Sequence, residues 1–356
     1  MYLSGLLTAI GGLALFLYGM YLMGEGLSKL SGGRLEKFLG KMTDSPVKAM
    51  LCGAGVTAVI QSSSATTVMV VGLVNSGIMK LSQAAGIIMG ANIGTTITSW
   101  LLGLTEIDSP SIIVQLMRPA SFSPVLGIFG VGMLLSSGRE RQKNIGSVLV
   151  GFSILMFGME TMSDGMKPLA SLPEFTGLLT RFSHPLWGML AGIVLTAVIQ
   201  SSSASVGILQ ALCATGAVSY GAAIPIIMGQ NIGTCATALL SSVGAGRNAK
   251  RAALVHLYFN VIGTGLFMVV FYGISAFSSP VFLNRAANGF GVAFVHSAFN
   301  IATTLVLLPF SDGLVKLACL TIPGEERNTA FYGSSHCYKK YNKIKGQSFL
   351  RREPHP

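Results

Sequence analysis

Two identical polar runs lie within apolar stretches of the sequence. The first is Gln61-Ser62-Ser63-Ser64, and the second is Gln200-Ser201-Ser202-Ser203. Serine hydroxyls donate and accept hydrogen bonds and compete with a helix for its backbone hydrogen bonds. Each run therefore predicts a broken helix, with the free N–H groups and partial positive charge of the next helix start pointing at the break. Such a site suits an oxyanion such as phosphate, held weakly enough to leave again.

A second polar cluster follows each run. The two copies are Asn92-Ile93-Gly94-Thr95-Thr96 and Asn231-Ile232-Gly233-Thr234. Glycine weakens a helix and lets backbone approach closely, so these clusters predict matching breaks in membrane-crossing helices. We expect Asn92, Thr95, Thr96, Asn231 and Thr234 to bind substrate or ions together with the Q-S-S-S residues. Sodium prefers oxygen ligands, and its predicted ligands are Gln61, Gln200, Asn92 and Asn231.

Both clusters repeat at one offset of 139 residues without a gap. The longest repeated segment, Thr57 to Ala65, returns unchanged as Thr196 to Ala204. Small residues and serines also mediate tight packing between membrane helices, and a single serine pair would favour that interpretation. Two different polar clusters duplicated in one register favour a binding site built from two copies of one unit.

The composition indicates an integral membrane protein. The chain has 356 residues, of which 51% are hydrophobic and 10% are charged. Residues 182–246 contain no Asp, Glu, Lys or Arg, and this stretch is too long for one spanning helix of about 20 residues. The net charge of +11 is assigned to cytoplasmic loops rather than to a nucleic-acid surface. The sequence predicts no cofactor and leaves the oligomeric state open.

The basic clusters predict how the chain crosses the membrane. Four of them read as cytoplasmic: 29–48, 139–143, 247–251 and the tail from residue 327. Seven spans then fit, together with two re-entrant hairpins at 46–79 and about 185–220. The predicted spans are 3–23, 82–104, 114–137, 145–162, 221–243, 252–276 and 286–311.

The predicted fold class is an all-α membrane protein with two inverted-topology repeats, each with a re-entrant helical hairpin and broken transmembrane helices. Residues 1–137 form the first repeat. Residues 138–312 form the second repeat plus a final transmembrane helix, and 313–356 form a short basic cytoplasmic tail. Inverted repeats are typical of secondary transporters.

Two histidine–asparagine pairs lie at i, i+4 spacing on predicted helices: His256 with Asn260, and His296 with Asn300. Hydrogen bonding between helices is the favoured interpretation, and lining of a transport path is the alternative. A serine-nucleophile enzyme would need a base beside a serine, and neither histidine lies in a motif with one. A channel would conduct without saturation or sodium coupling.

The paired motifs resemble those of the sodium/phosphate cotransporter family, the bacterial relatives of type II sodium–phosphate cotransporters. The resemblance rests on the two Q-S-S-S-A segments and on the segments 87–95 and 226–234, and it covers roughly residues 5–312. It implies a multi-pass protein of the cell membrane that moves inorganic phosphate with sodium as the coupling ion, in the lipid bilayer. Many similar bacterial proteins continue into a PhoU-like domain, which we do not expect here. From the residues alone, another oxyanion or a small carboxylate remains an alternative substrate.

Overall fold

The computed structural model describes residues 2–31, 45–104, 119–170, 172–278 and 280–324, and these residues are almost entirely helical. The first helices are α1 (Tyr2–Ser31), α2 (Pro46–Ile60), α3 (Ser63–Asn75), α4 (Leu81–Gly103) and α5 (Pro119–Ser136). The next helices are α6 (Glu140–Ala170), α7 (Pro173–Arg181), α8 (Pro185–Ile199), α9 (Ser202–Cys213), α10 (Tyr220–Gly233) and α11 (Cys235–Ser241). The chain continues with α12 (Arg247–Ser278), α13 (Gly289–Leu307) and α14 (Ser311–Thr321). The predicted all-α class is confirmed for the described residues.

Six described segments are long and apolar enough to cross a membrane. A further span is possible if the bent helix pair Pro173–Arg181 and Pro185–Ile199 counts as one segment. The six are Tyr2–Ser31, Leu81–Gly103, Glu140–Ala170, Tyr220–Ser241, Arg247–Ser278 and Gly289–Thr321. Each overlaps a predicted span, although several are longer than predicted. The seventh predicted span, 114–137, corresponds to the shorter apolar helix α5, and residues 114–118 lie outside the described part of the chain.

Glycines let the first arm of each hairpin lie directly against the long helix that follows it. A Cβ atom added to Gly53 of α2 would overlap the carbonyl oxygen of Ile87 in α4. At the equivalent place, a Cβ atom on Gly192 of α8 would overlap the carbonyl oxygen of Ile226 in α10. The two repeats therefore share one packing arrangement, which follows from their shared glycines.

Helices α1 and α6 pack against each other in antiparallel directions. Gly5, near the start of α1, lies against Gly165, near the end of α6, and Gly19 lies against Gly151. Both helices place glycine at seven-residue intervals, so that close backbone approach continues along the whole contact. Helices α1 and α6 occupy equivalent positions in the two repeats, because Gly12 and Gly19 correspond to Gly151 and Gly158.

The bases of the two hairpins lie at opposite ends of α12. The base of the first hairpin is tied to the residue before α12, because Gly246 N donates to Asn75 Oδ1 at 2.8 Å. The base of the second is tied to the segment after α12, because Ala287 N donates to Val218 O at 2.7 Å. With 32 residues, α12 is about 48 Å long at 1.5 Å per residue, which exceeds the roughly 30 Å of a hydrocarbon core.

The predicted break at Asn92–Thr96 is wrong. Helix α4 runs without interruption from Leu81 to Gly103. Gly94 serves close packing instead of unwinding, because a Cβ atom there would overlap the carbonyl oxygen of Ala54. In the second copy the interruption is limited to Thr234, whose φ of −62° and ψ of −21° stay close to helical values.

The packed part of the chain extends beyond residue 312, into the segment predicted as the tail. Leu314 and Ala318 of α14 are buried in the core. The end of α14 is fastened by Arg251, which is only 2% exposed and donates to the carbonyl oxygens of Ile322 at 2.8 Å and Gly324 at 2.6 Å. A buried guanidinium requires such partners. Residues 325–356 lie outside the described part of the chain.

Candidate functional site

Each Q-S-S-S run forms a tight turn between two helices. Helix α2 ends at Ile60 and α3 begins at Ser63, while α8 ends at Ile199 and α9 begins at Ser202. The glutamines take left-handed backbone angles, with φ of 61° at Gln61 and 58° at Gln200. They are the only non-glycine residues with positive φ in the described part of the chain. Such conformations cost about 1–3 kcal/mol and cluster at functional sites.

The second residue of each run caps the helix that follows. The side chain of Ser62 accepts a hydrogen bond from Ala65 N at 3.1 Å, and that of Ser201 accepts one from Ala204 N at 3.2 Å. Serine is among the preferred N-cap residues. The caps leave the amides of the first two helical residues without an intrahelical acceptor, and in both helices these residues are serines.

The two turns meet in space. Ser63 Oγ and Ser202 Oγ, which are equivalent atoms of the two repeats, lie 3.3 Å apart. Ser64 Oγ donates to the main-chain oxygen of Gln200 at 3.1 Å. Ser63, Ser202 and Ser203 are buried, whereas Ser62, Ser64 and Ser201 are partly buried. Residues 139 positions apart in sequence therefore form one cluster in which two helix N-termini face each other.

Buried hydroxyl pairs join the two arms of each hairpin just behind the turns. Thr57 Oγ1 donates to Thr66 Oγ1 at 3.0 Å, and Thr196 Oγ1 donates to Ser205 Oγ at 2.8 Å. These residues were not predicted from the sequence, although Thr57 and Thr196 are part of the repeated segment. The signal in the sequence was a second hydroxyl residue nine positions after each threonine, Thr66 in the first copy and Ser205 in the second.

The second clusters lie on α4 and α10, and their side chains are mostly bonded within their own helices. Asn92 Nδ2 donates to Ile88 O at 3.0 Å and Asn231 Nδ2 to Ile227 O at 2.9 Å. These bonds use the amide N–H groups, so the amide oxygens remain as the atoms that suit a cation. Thr95 and Thr96 donate to the carbonyl oxygens of Ala91 and Ile93, while the buried Thr234 Oγ1 has no partner among the described residues.

No hydrogen bond in the described part of the chain joins the second clusters to the serines. The link between the two motifs is made by a residue that the sequence analysis missed, since Thr98 Oγ1 of α4 donates to Gln61 Oε1 at 2.7 Å. Its equivalent, Thr237 of α11, contacts the main-chain oxygen of Gln200 at 3.4 Å. The threonine repeated at the 139-residue offset was the signal that could have identified both.

The electrostatics of the cluster come from backbone and neutral side chains. Among the described residues, no Asp, Glu, Lys or Arg side chain forms a hydrogen bond or ion pair with either turn. Each turn places the C-terminal end of one helix beside the N-terminal end of the next. The first carries partial negative charge and the second partial positive charge, so a cation and an anion can be held side by side without a buried ionised residue.

Neither histidine side chain forms a hydrogen bond with the turns in the described part of the chain. His296 Nδ1 lies 2.9 Å from Ser99 Oγ, which joins α13 to α4 as the packing interpretation predicts. Both residues are almost completely buried, so this serine–histidine pair is closed to a substrate. The ring nitrogens of His256 have no partner in the described part of the chain, whereas Asn260 Nδ2 contacts Cys235 Sγ at 3.4 Å.

Comparison with known proteins identifies relatives of the whole helical core. The Na+/Pi-cotransporter family profile matches the chain twice, at residues 15–164 and 154–296. An uncharacterized protein of Bacillus subtilis, YqeW, is 30% identical over 87% of this chain and 96% of its own length. YjbB of Escherichia coli K12, named as a putative inorganic phosphate export protein, is 26% identical over 90% of this chain.

More distant relatives include the mouse sodium-dependent phosphate transport protein 2A, which is 21% identical over 72% of this chain and 59% of its own length. The chain spans just over half, 56%, of the Escherichia coli protein. No solved structure gives a significant match. The two family matches together cover most of the sequence, and they fall on the two copies of the repeated motif. The chain therefore belongs to the Na+/Pi-cotransporter family, a family of membrane transporters.

Proposed function

We propose that this chain carries inorganic phosphate across the cell membrane together with sodium ions, and that phosphate binds where the two Q-S-S-S turns face each other. The observation that carries the proposal is the meeting of two helix N-termini, with Ser63 Oγ and Ser202 Oγ 3.3 Å apart. The macrodipole places roughly half a positive charge at each helix start. Two such ends repel each other unless an anion lies between them.

Phosphate fits the donors available at this place. Each helix start offers two unpaired amides, and the hydroxyls of Ser63, Ser202 and Ser203 add further donors. The Ser64 hydroxyl already donates to the main-chain oxygen of Gln200. A helix N-terminus is a ready-made phosphate site. The Ser63–Ser202 contact is long for a hydroxyl pair, so its exchange for phosphate oxygens costs little, and the neutral donors allow the anion to leave.

Sodium fits the other half of each turn. The last carbonyl groups of α2 and α8 have no intrahelical donor, and Gln61, Gln200, Asn92 and Asn231 add amide oxygens. Sodium beside phosphate would offset the anion's charge where the protein supplies no ionised side chain. This division of labour, with helix N-termini toward the anion and unwound carbonyls toward sodium, is general among secondary transporters.

The packing of the two repeats supports alternating access by inverted units. The hairpin bases lie at opposite ends of α12, and the equivalent helices α1 and α6 are antiparallel. We infer that the hairpins enter the membrane from opposite faces as re-entrant elements and meet at its centre. A bound substrate would then be released to either side by movement of one unit against the other.

The names of the relatives agree on phosphate as the substrate, but one names export and the other names dependence on sodium. The Escherichia coli relative is named for phosphate export and the mouse relative for sodium-dependent phosphate transport. For this chain we propose coupled movement, with a net direction set by the sodium and phosphate gradients.

The decisive measurement is uptake of radiolabelled phosphate by proteoliposomes under an inward sodium gradient. We expect saturable uptake that stops when choline replaces sodium, and that excess unlabelled phosphate suppresses more strongly than sulfate or a dicarboxylate. Uptake that persists in choline would contradict sodium coupling, and stronger suppression by sulfate or the dicarboxylate would reassign the substrate. A lack of saturation would point to a channel.

A double serine variant tests whether phosphate binds between the two turns. Replacing both Ser63 and Ser202 with alanine removes the facing hydroxyls and leaves the caps Ser62 and Ser201 in place. We expect phosphate uptake to fall at least tenfold while the protein remains folded in the membrane. The matched control is Ser76→Ala at the exposed base of the first hairpin, which should transport normally. Normal uptake by the double variant would refute the site.

A further inference from the structure

Two threonines in equivalent positions of the repeats hold the neighbouring glutamines in different ways. Thr98 donates to the side-chain oxygen of Gln61 at 2.7 Å, and Gln61 Nε2 donates to Ala58 O at 2.6 Å. The Gln61 amide is therefore fixed at both ends. Thr237 instead donates to the main-chain oxygen of Gln200 at 3.4 Å, and within the described residues the Gln200 amide makes no hydrogen bond.

The burial of the two glutamines also differs, with Gln61 less exposed than Gln200. Ile60 and Thr98 are 3% and 1% exposed, and Gln61 between them in space is partly buried. In the second repeat Ile199 and Thr237 are partly buried and Gln200 is exposed. The glutamine end of the first turn is thus closed and that of the second is open, although the turn sequences are identical over nine residues. The serine ends differ in the opposite sense, since Ser64 is partly buried and Ser203 is buried.

The sequences of the two turns do not decide this difference. The threonines lie in different surroundings, Thr96-Ile97-Thr98-Ser99 in α4 and Cys235-Ala236-Thr237-Ala238 in α11. Both turns have the same left-handed glutamine angles, the same serine cap and an equivalent threonine. The residues that make the contact in one copy are therefore present in both. In a transporter of two inverted units, exchange of the two arrangements gives the state that opens to the opposite face.

We propose that Thr98 and Thr237 are positioning residues that hold the two glutamines alternately, so that only the glutamine of the open repeat is presented to the substrate. The proposal rests on the function proposed above. In the exchanged state Thr237 donates to Gln200 Oε1, Thr98 moves to the main-chain oxygen of Gln61, and Ser203 replaces Ser64 as the donor to the opposite turn.

The free amide gives the open repeat a distinct chemical role. A carboxamide offers two N–H donors and one acceptor oxygen. The Gln200 amide can thus meet an entering oxyanion or its sodium ion, whereas the Gln61 amide has its oxygen and one N–H already engaged. Equivalent residues then act at different times in one cycle.

The test compares Thr98→Ala with Thr237→Ala, a matched pair at equivalent positions. Each variant is combined with Ile60→Cys or Ile199→Cys, and the rate of labelling by a small thiol reagent is measured in native membranes, against the same protein without the added cysteine. The native cysteines in the described part of the chain, Cys52, Cys213, Cys235 and Cys319, are all buried. Without a threonine change, position 199 should label faster than position 60.

Loss of Thr98 removes a short bond that exists only in the present state. It should raise labelling at position 60 and lower it at position 199 by about fivefold, the factor expected for one hydrogen bond. Thr237→Ala should shift both rates in the opposite direction, and Thr98→Ser should restore the original rates. A purely structural role would move both positions in the same direction, so equal shifts or no shifts would overturn the proposal.

A transport measurement separates this proposal from the proposed function. In proteoliposomes of known orientation, the two variants should change the half-saturating phosphate concentration at the two faces in opposite directions. If the unmodified protein transports no phosphate while the labelling rates still shift reciprocally, the substrate assignment fails and the positioning role stands. If phosphate transport is normal and the variants change neither labelling nor the two half-saturation values, the positioning role fails alone.

Discussion

Three of the four residues in each Q-S-S-S turn have separate structural roles. The glutamine takes the left-handed conformation that ends one helix, the first serine caps the next helix, and the second serine faces its counterpart across the site. The glutamine is the least expected of these, since glycine takes such angles without cost. We infer that its amide is retained for contacts that glycine cannot make.

The strain at the glutamine can be measured at Gln200, whose side chain makes no hydrogen bond in the described part of the chain. Gln200→Gly should leave the thermal stability unchanged or slightly higher. Gln200→Val should lower it by about 1–2 kcal/mol, because a β-branched residue tolerates the left-handed region poorly. Thermal unfolding in detergent checks this, and equal stability of the two variants would show that the turn relaxes.

The cap and the charge of the site can be separated at Ser62. Ser62→Asp preserves an N-cap acceptor and adds a fixed negative charge beside the proposed phosphate position. We expect stability near that of the unmodified protein and at least tenfold weaker phosphate binding. Ser62→Ala is the complementary variant, with stability lower by about 1 kcal/mol and a milder effect on binding. Unchanged phosphate affinity in the aspartate variant would place the anion elsewhere.

At the scale of elements, glycine contacts decide how the hairpins are held. Helix α2 lies against α4, and α8 lies against α10, at glycines where an added Cβ atom would overlap a carbonyl oxygen of the neighbouring helix. The buried pairs Thr57–Thr66 and Thr196–Ser205 then fix the second arm to the first. Rigid supports of this kind hold the serines in place at the end of two otherwise short helices.

Two neighbouring glycines of α2 provide a matched test of this packing. Gly53→Ala would drive a methyl group into the carbonyl oxygen of Ile87, whereas Gly55→Ala points to open space. The first change should destabilise the protein by about 1–3 kcal/mol, as overpacking does, and reduce the folded yield. The second should be neutral or nearly so. Size-exclusion profiles and thermal unfolding of both variants give the comparison, and a stable Gly53→Ala protein would refute the close contact.

At the scale of the whole molecule, two similar units face each other around the serines. The antiparallel contact of α1 with α6 and the ties of the hairpin bases to opposite ends of α12 both relate equivalent elements in opposite directions. Within this arrangement, the side chains of Gln61 and Gln200 differ in their hydrogen bonds and in their exposure. In the inverted arrangement proposed above, this difference at the turns would distinguish the two faces of the membrane.

Labelling from the two sides of the membrane tests the opposed orientation. Ser76 and Ala214 lie at the exposed bases of the first and second hairpins. An impermeant thiol reagent should reach Ser76→Cys only from the cytoplasmic face and Ala214→Cys only from the outside, because the basic loop at 247–251 marks the first base as cytoplasmic. Labelling of both from one side would rule out inverted units.

The membrane class and the positions of the turns could be predicted, because long uncharged segments and an internal repeat can be recognised directly in the sequence. Long uncharged segments can only be buried in membrane or protein, which predicted the helical membrane class, and the family resemblance is confirmed by the comparisons. The 139-residue register located the Q-S-S-S turns. The repeat boundaries and the ligand assignments remain predictions.

The tertiary structure alone decided which polar residues meet. The clusters at Asn92 and Asn231 have the same composition as a helix break, yet α4 stays continuous because its glycine fits a neighbouring carbonyl and its polar side chains bond within the helix. Likewise, Thr98 and Thr237 are equivalent in sequence and differ in their contacts. A linear sequence specifies which groups are available for bonding, whereas the approach of neighbouring helices determines which of them are used.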